Sequence, residues 1–365
     1  MRFILLLCIF LTQDILGQSL KKSLDSTISH HFAGKEAGGA FLIIENTKLL
    51  YEKGFGFADI SQKLANTPFT NFRLASMSKQ FTAAAIVILE KKGLISYEDK
   101  LSRFFPQFDG VVSNRIKIKH LLTHSSGILD YESLIPTNRQ VQIKDADVVS
   151  LLATENKLYF EPGTEFRYSN SGYCLLSQII EIVTGAPFEL FVSENIFKPL
   201  KLKNTYYYNI HSKMPLRALG YALSPSNQVI LADQSVTSAT KGDGCIYSNI
   251  RDFQVWNESL VKNTLFNLFE ELKKVQFETL PNSPLKYGLG WFFTQQDKTW
   301  ELYHSGSTSG FSNGVLWLPQ KKILMVYLTN LADNHVIEEK IMQVLKAQKV
   351  INNTFDFRKA LSLTR

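Results

Sequence analysis

Cysteine is scarce, with three residues in 365. A disulfide framework is therefore excluded, and at most one bridge is possible once Cys8 is set aside. Beyond the N-terminus no stretch reaches 18 consecutive apolar residues, so no spanning helix and no stable membrane insertion are expected of the mature chain. Lysine- and arginine-rich runs with interleaved aromatics are missing, which removes support for nucleic-acid binding. The chain also lacks internal repeats and low-complexity segments. What remains is ordinary globular composition, 45% apolar and 20% charged, long enough for a large core and about two domains. The net charge of +7 is scattered rather than clustered. It reads as a solvated basic surface compatible with acidic envelope polymers.

At the N-terminus, Arg2 precedes the apolar run Phe3 to Leu11, which is too short to cross a bilayer. Gly17 offers a small residue before a cut at Gly17/Gln18, so residues 1–17 read as a signal peptide and the chain as exported, periplasmic or extracellular. Leu7 before Cys8 is too large for the usual lipid-attachment site. Losing residues 1–17 removes Arg2 and Asp14, one charge of each sign, so the net charge stays at +7. Cys174 and Cys245 remain. They can pair in an exported chain, or serve as small buried hydrophobes, which their apolar neighbours favour.

The stretch Phe72 to Ile86 passes from an extended apolar piece into a helix-forming alanine and aliphatic run. Ser76 lies at the joint, and Lys79 follows on the same helix face at i+3. A serine hydroxyl needs a neighbouring base to act as a nucleophile, and a partly buried lysine can be one. The helix N-terminus would favour negative charge developing near Ser76. Four other Ser-x-x-Lys copies occur, at Ser19/Lys22, Ser238/Lys241, Ser259/Lys262 and Ser283/Lys286, so context must distinguish this one.

Residues 20–33 show helical spacing through Leu20, Leu24, Ile28 and Phe32. Phe41 to Glu45 and Leu49 to Ala58 read as a hairpin turning at Asn46-Thr47. From about residue 76 to 285 the pattern is mostly helical, including Tyr173 to Val183 and Ile250 to Leu272. Strands return at Tyr287 to Phe293, Leu302 to His304, Gly314 to Leu318 and Ile323 to Leu328. A last helix runs from Asn334 to Lys346. The expected fold class is α+β: an α/β lobe (residues 18–75 and 286–348) whose antiparallel sheet draws on both termini and is flanked by helices, with an inserted all-helical lobe (about 76–285). Residues 349–365 form a tail without a usable pattern. A cleft is expected at the seam between the lobes, where Ser76 lies.

Two further constellations stand out. In Glu161 to Tyr173, a turn-rich loop opens into a helix; Asn170 or Ser171 could cap it, while Tyr168 could carry a proton and Asn170 hold a substrate carbonyl. In His304-Ser305-Gly306-Ser307 and Gly310-Phe311, glycines allow close backbone approach and strand N–H groups could meet an oxyanion. Ser76-Met77-Ser78-Lys79, Tyr168-Ser169-Asn170 and His304-Ser305-Gly306 together resemble the three ordered active-site motifs of the serine β-lactamase and penicillin-binding-protein superfamily, in the form seen in class C β-lactamase-related hydrolases. The neighbouring text His120 to Ile128, Lys241 to Gly244 and Tyr287 to Trp291 agrees, and the resemblance spans about residues 20–348.

The resemblance implies a β-lactamase/transpeptidase-like fold and an acyl-enzyme mechanism without cofactor or metal. By it, Ser76 is the acylated nucleophile, and Lys79 and Tyr168 share the proton work. Backbone N–H groups of Ser76 and Ser307 form the oxyanion hole. Asn170, His304, Ser305 and Gly306 bind substrate, with Asp130 and Tyr131 near the pocket. Where β-lactamases and D,D-peptidases usually carry lysine, this chain has His304, mostly neutral at pH 7 if unperturbed. That favours small-molecule or peptide esters and amides, including D-amino peptides and cell-wall fragments, over β-lactams. The alternatives are a true β-lactamase or D,D-carboxypeptidase, and a catalytically silent envelope or peptidoglycan-binding protein of the same fold. A metallohydrolase built on His120 and His124 lacks the expected glutamate, since residue 121 is leucine.

Overall fold

A computed structural model describes residues 2–209, 214–352 and 354–362, with the backbone alone for residues 2–16 and 111. An eight-stranded antiparallel sheet runs in the order Phe277–Glu278, Lys286–Gly288, Trp291–Gln296, Thr299–Thr308, Phe311–Leu318, Ile323–Thr329, Gly39–Glu45, Lys48–Phe55. The N-terminal hairpin completes a sheet that the C-terminal region otherwise builds, with Gly39 opposite Thr329 and Glu45 opposite Ile323. The hairpin turns at Asn46 and Thr47, both at positive φ (50° and 65°), the backbone that a tight two-residue connection demands. Every residue of Phe311–Leu318 and Ile323–Thr329 is buried, because both faces of the sheet are covered.

One face is covered by the helices Arg2–Phe32 and Val336–Ala347, which pack on each other. Leu20, Leu24, Ile28 and Phe32 form the buried stripe that the spacing predicts. Tyr303 and Tyr327 reach from the sheet to donate to Glu338 Oε2, at 2.9 and 2.8 Å. The tail docks on the same side. Phe357 is buried and stacks on Tyr303 with centroids 5.2 Å apart, and the Phe355 N–H donates to Glu301 Oε2 at 2.6 Å.

The other face carries the insertion. Its framework is helical, with Lys79–Lys91 and Asn170–Thr184 at the centre. It also holds two small antiparallel sheets, so it is not helical throughout. One joins Phe72–Arg73, Ile246–Ser248 and Tyr206–Tyr207; the other pairs Tyr221–Leu223 with Val229–Leu231. Strands of two or three residues are too short for alternation to reveal them. The helix expected over Ile250 to Leu272 is two helices, Ile250–Val261 and Leu268–Lys274. Asn263 takes positive φ after the first, and the Asn267 side chain caps the second. Cys174 and Cys245 are buried and unbridged. Among the described residues no single helix is long and apolar enough to cross a membrane.

Asn330 fastens the lobes where the chain leaves the sheet. Its Oδ1 accepts from the Gly38 N–H at 2.9 Å, and its Nδ2 donates to the Phe57 and Leu219 carbonyls at 3.0 and 2.9 Å. Asn330 is fully buried, so alanine there strands several polar groups. Asn330→Ala is expected to lower unfolding free energy by about 2–4 kcal/mol, measured by urea titration. A midpoint equal to wild type would contradict this role.

Candidate active site

The strand Phe72–Arg73 ends in Leu74, and a 3-10 turn over Ala75–Ser78 precedes the helix Lys79–Lys91. Ser76 thus sits in the tight turn before the helix rather than in its first turn. Ala75 takes φ +50°, an unfavourable value for a residue with a Cβ. Two close approaches hold it there. A Cβ on Gly306 would stand 2.1 Å from the Leu74 carbonyl oxygen, and one on Gly290 would stand 2.6 Å from the Gln80 nitrogen. Only glycine lets the strand Thr299–Thr308 and the Leu289-Gly290 turn press against the Ser76 segment. The Arg73 guanidinium ties the segment to the loop 234–244 through Gln234 Oε1, the Ser238 carbonyl and the Gly244 carbonyl.

Lys79 is fully buried. Its Nζ donates to Ser76 Oγ at 3.2 Å, Asn170 Oδ1 at 2.7 Å and the Asp243 carbonyl at 3.0 Å, which uses all three ammonium protons. Asn170 opens the helix Asn170–Thr184, with Ser169 in the cap position, so its side chain reaches Lys79 from the opposite wall. Its Nδ2 donates to Glu132 Oε1 at 2.6 Å. A polar chain Ser76–Lys79–Asn170–Glu132 therefore runs along the floor of a cavity of about 300 Å³, with Lys79 just behind the lining. Ser76, Asn170, Tyr131, Glu132, Asp243 and Ser307 all line it. Burial raises the pKa of Asp243, opposed by Lys79 and a Thr240 hydrogen bond. Burial also raises Glu132, opposed by the Asn170 bond and helped by Asp243 and Asp130.

Tyr168 lies beside this floor. Lys79 Nζ is 5.1 Å from its ring centroid, a cation–π distance. The Tyr168 hydroxyl is buried without a hydrogen-bond partner. Its ring packs on His124 at 4.1 Å, with Phe292 and His304 each at 6.2 Å. His304 is buried beneath the site. Its Nδ1 donates to the Ser305 carbonyl at 2.6 Å and its Nε2 accepts from Tyr287 at 3.3 Å. Burial, with the Lys79 charge nearby, pushes His304 down to about 3, so its ring is neutral. Ser307 and Thr308 of its strand, with Ser309 of the turn that follows, form part of the cavity wall, while His304, Ser305 and Gly306 are not part of that lining. Asp130 turns away to pair with Arg167 at 3.2 Å. His120 and His124 each use Nδ1 to accept a backbone N–H, from Lys117 and Ser169.

A serine, a buried lysine and an asparagine amide thus meet at the seam between a sheet lobe and a helical lobe. The family profile described as Beta-lactamase matches residues 24–349. The chain belongs to the beta-lactamase family. That places it among serine hydrolases of the β-lactamase and penicillin-binding-protein superfamily. It is 28% identical over 350 residues to Penicillin-binding protein 4* of Bacillus subtilis (strain 168), covering 89% of this chain and 75% of that protein. To Protein flp of Staphylococcus aureus (strain MW2) it is 28% identical over 347 residues, covering 90% of this chain and 66% of that longer protein. The crystal structure of a penicillin binding protein from Bacillus halodurans superposes with a TM-score of 0.75 at 25% identity, over 88% of this chain and 98% of that one. A D-amino acid amidase from Ochrobactrum anthropi SV3 shares the fold, with a TM-score of 0.75 at 21% identity over 91% and 99% of the two chains.

Within this beta-lactamase family site, several lining residues escaped the sequence reading. Glu132 directly follows Asp130 and Tyr131 but has no motif of its own. Asp243 sits between two glycines, a turn signal without a visible ligand. Asp145 holds the Asp243 loop by accepting the Lys241 and Gly242 N–H groups at 2.7 and 2.9 Å. These contacts join segments about a hundred residues apart, and no local pattern marks them.

Proposed function

We propose that the chain is an exported serine hydrolase that cleaves esters or amides through an acyl-enzyme on Ser76. The observation that carries this reading is the buried Lys79 ammonium bonded at once to the Ser76 hydroxyl and the Asn170 amide. An ammonium cannot accept a proton, so the reacting form is the one in which Lys79 has given one up; that neutral amine, with Tyr168 sharing the proton work, takes the Ser76 proton as the hydroxyl attacks the carbonyl carbon. The proton then passes to the leaving oxygen or nitrogen, and water hydrolyses the acyl-enzyme. Backbone N–H groups of Ser76 and Ser307 serve the oxyanion. Asn170 orients the acyl group. A fluorophosphonate should label Ser76, located by peptide mass spectrometry. Folded protein with Ser76 unmodified would favour the silent binding-protein reading.

The charge around the cavity selects the substrate class. Its charged lining residues are Arg73, Glu132 and Asp243. Arg73 is turned to its own loop, donating through Nε, Nη1 and Nη2 to Gly244, Gln234 and Ser238, and His304 is neutral, so the two carboxyls are the charged groups offered to a ligand. A substrate carboxylate, as in a β-lactam or a D-Ala-D-Ala terminus, finds no cation but the loop-bound Arg73 among the described lining residues, whereas a substrate amine finds two carboxyls. Structures of the D-amino acid amidase hold D-phenylalanine and L-phenylalanine amide, both bearing a free amine. We therefore expect free-amine aminoacyl amides and esters to be cleaved at least tenfold faster than their N-acetyl counterparts, a preference of about 1.4 kcal/mol. Glu132→Gln and Asp243→Asn should shrink that ratio. Both carboxyls carry raised pKa values, so the preference is lost as pH falls through a window above the ordinary carboxylate range, and it fades again at high pH where the substrate amine loses its proton. Cephalosporin turnover near the diffusion limit without ester hydrolysis would reverse the assignment.

A further inference from the structure

His124 has no role in the mechanism above, yet it grips Tyr168 from both sides. Its carbonyl accepts the Arg167 N–H at 2.9 Å, and its Nδ1 accepts the Ser169 N–H at 3.1 Å. These are the two backbone neighbours of Tyr168. Between them the imidazole covers the phenol ring, with centroids 4.1 Å apart and planes at 35°. To do this, residue 124 takes φ +56° and is 1% exposed. With Nδ1 accepting, the proton of the neutral ring is on Nε2, which is buried without a partner, as is the Tyr168 hydroxyl.

We propose that His124 is a positioning residue for Tyr168: a neutral, Nε2-protonated imidazole that fixes the Tyr168-Ser169-Asn170 segment so that the phenol and the Asn170 amide face Lys79 together. The proposal rests on the reading of Tyr168 as a proton carrier. Protonating Nδ1 would set two donors against each other at Ser169 and release one side of the grip. The groups around the ring oppose that event. Lys79 approaches from the nucleophile helix and His304 from the sheet strand. Tyr173 of the helix Asn170–Thr184 and Tyr287 of the strand Lys286–Gly288 pack at 5.2 and 4.4 Å. Burial and the Lys79 charge hold the His124 pKa well below the usual imidazole value, so the grip persists into acid.

Two substitutions separate the parts. His124→Phe keeps an aromatic ring over Tyr168 but has no acceptor for Ser169. His124→Asn restores an acceptor near Nδ1 and tolerates positive φ. With a p-nitrophenyl ester, His124→Phe should lose about 10²-fold in kcat with little change in KM, the effect of a misplaced group rather than a lost binding contact. His124→Asn should recover to within about threefold of wild type, since the Ser169 bond is what positions the segment. Long-range ¹H–¹⁵N spectra of the wild type at pH 7 should show the Nε2–H tautomer at His124, a readout independent of any variant's folding. The proposal is overturned by a folded His124→Phe with wild-type kcat, by His124→Asn as slow as His124→Phe, or by a protonated Nδ1 in the spectra. Tyr168→Phe separates the two layers. If Tyr168→Phe is slow but His124→Phe is not, the positioning role alone fails; if Tyr168→Phe keeps full kcat, the proton-carrier reading fails and takes this one with it.

Discussion

Ser76→Ala is expected to lower kcat for any substrate of this protein by roughly four to six orders of magnitude, because the nucleophile of an interdependent set carries nearly all of the chemical step. The fold should survive. Ser76 accepts only one of the three Lys79 bonds, the longest at 3.2 Å, and it borders solvent in the cavity. The unfolding free energy should therefore change by less than about 1 kcal/mol. Ester hydrolysis and urea unfolding of one preparation check both halves. A folded Ser76→Ala enzyme with near-normal turnover would rule out the acyl-enzyme mechanism.

Lys79→Met should be the next most damaging change. Methionine replaces much of the buried stem but removes the charge, the base and all three donors. General acid–base groups contribute roughly 10²–10⁴-fold, and a loss in the upper part of that range is expected here because Tyr168 has no hydrogen-bonded contact that could replace Lys79. KM should barely move, since Lys79 lies behind the cavity and is not part of its wall. Fluorophosphonate labelling of Ser76 should slow in parallel, as it needs the same activation. If KM rose and kcat stayed, Lys79 would be a binding residue and Tyr168 the sole base. Stability is a separate matter. The Asn170 oxygen and the Asp243 carbonyl each lose a donor, at a cost of about 1–3 kcal/mol, while removing a buried cation offsets part of this.

The sheet and the nucleophile segment were legible because both write themselves into local sequence. The apolar strands after residue 286, the Asn46-Thr47 turn and the alanine-rich run after Lys79 each carry a period or a punctuation that backbone geometry obeys. Lys79 could be placed beside Ser76 from helical spacing alone, and the 3.2 Å contact agrees. The surroundings of Tyr168 were not legible in the same way. The side chains His124, Tyr287, Phe292 and His304 come from segments far from Tyr168 in sequence, and no local pattern brings them together around it. His304 shows the cost of judging charge from residue type: its neutrality follows from burial and from Lys79, not from its ordinary pKa. Glu132 and Asp243 were missed for a related reason, since a carboxyl in a loop reads as solvated until the fold closes over it.

The pairing of Gly39–Glu45 with Ile323–Thr329 sets the order in which this protein can be completed. The partners lie nearly the whole chain apart, and non-local pairings of this kind slow folding because the loop entropy must be overcome first. The Gly306 strand that braces Leu74 also arrives late during synthesis. A nascent chain ending before residue 300 therefore has its nucleophile and lysine but lacks the strand whose Gly306 braces the turn between them. Activity should appear abruptly, only after the last strands have been made.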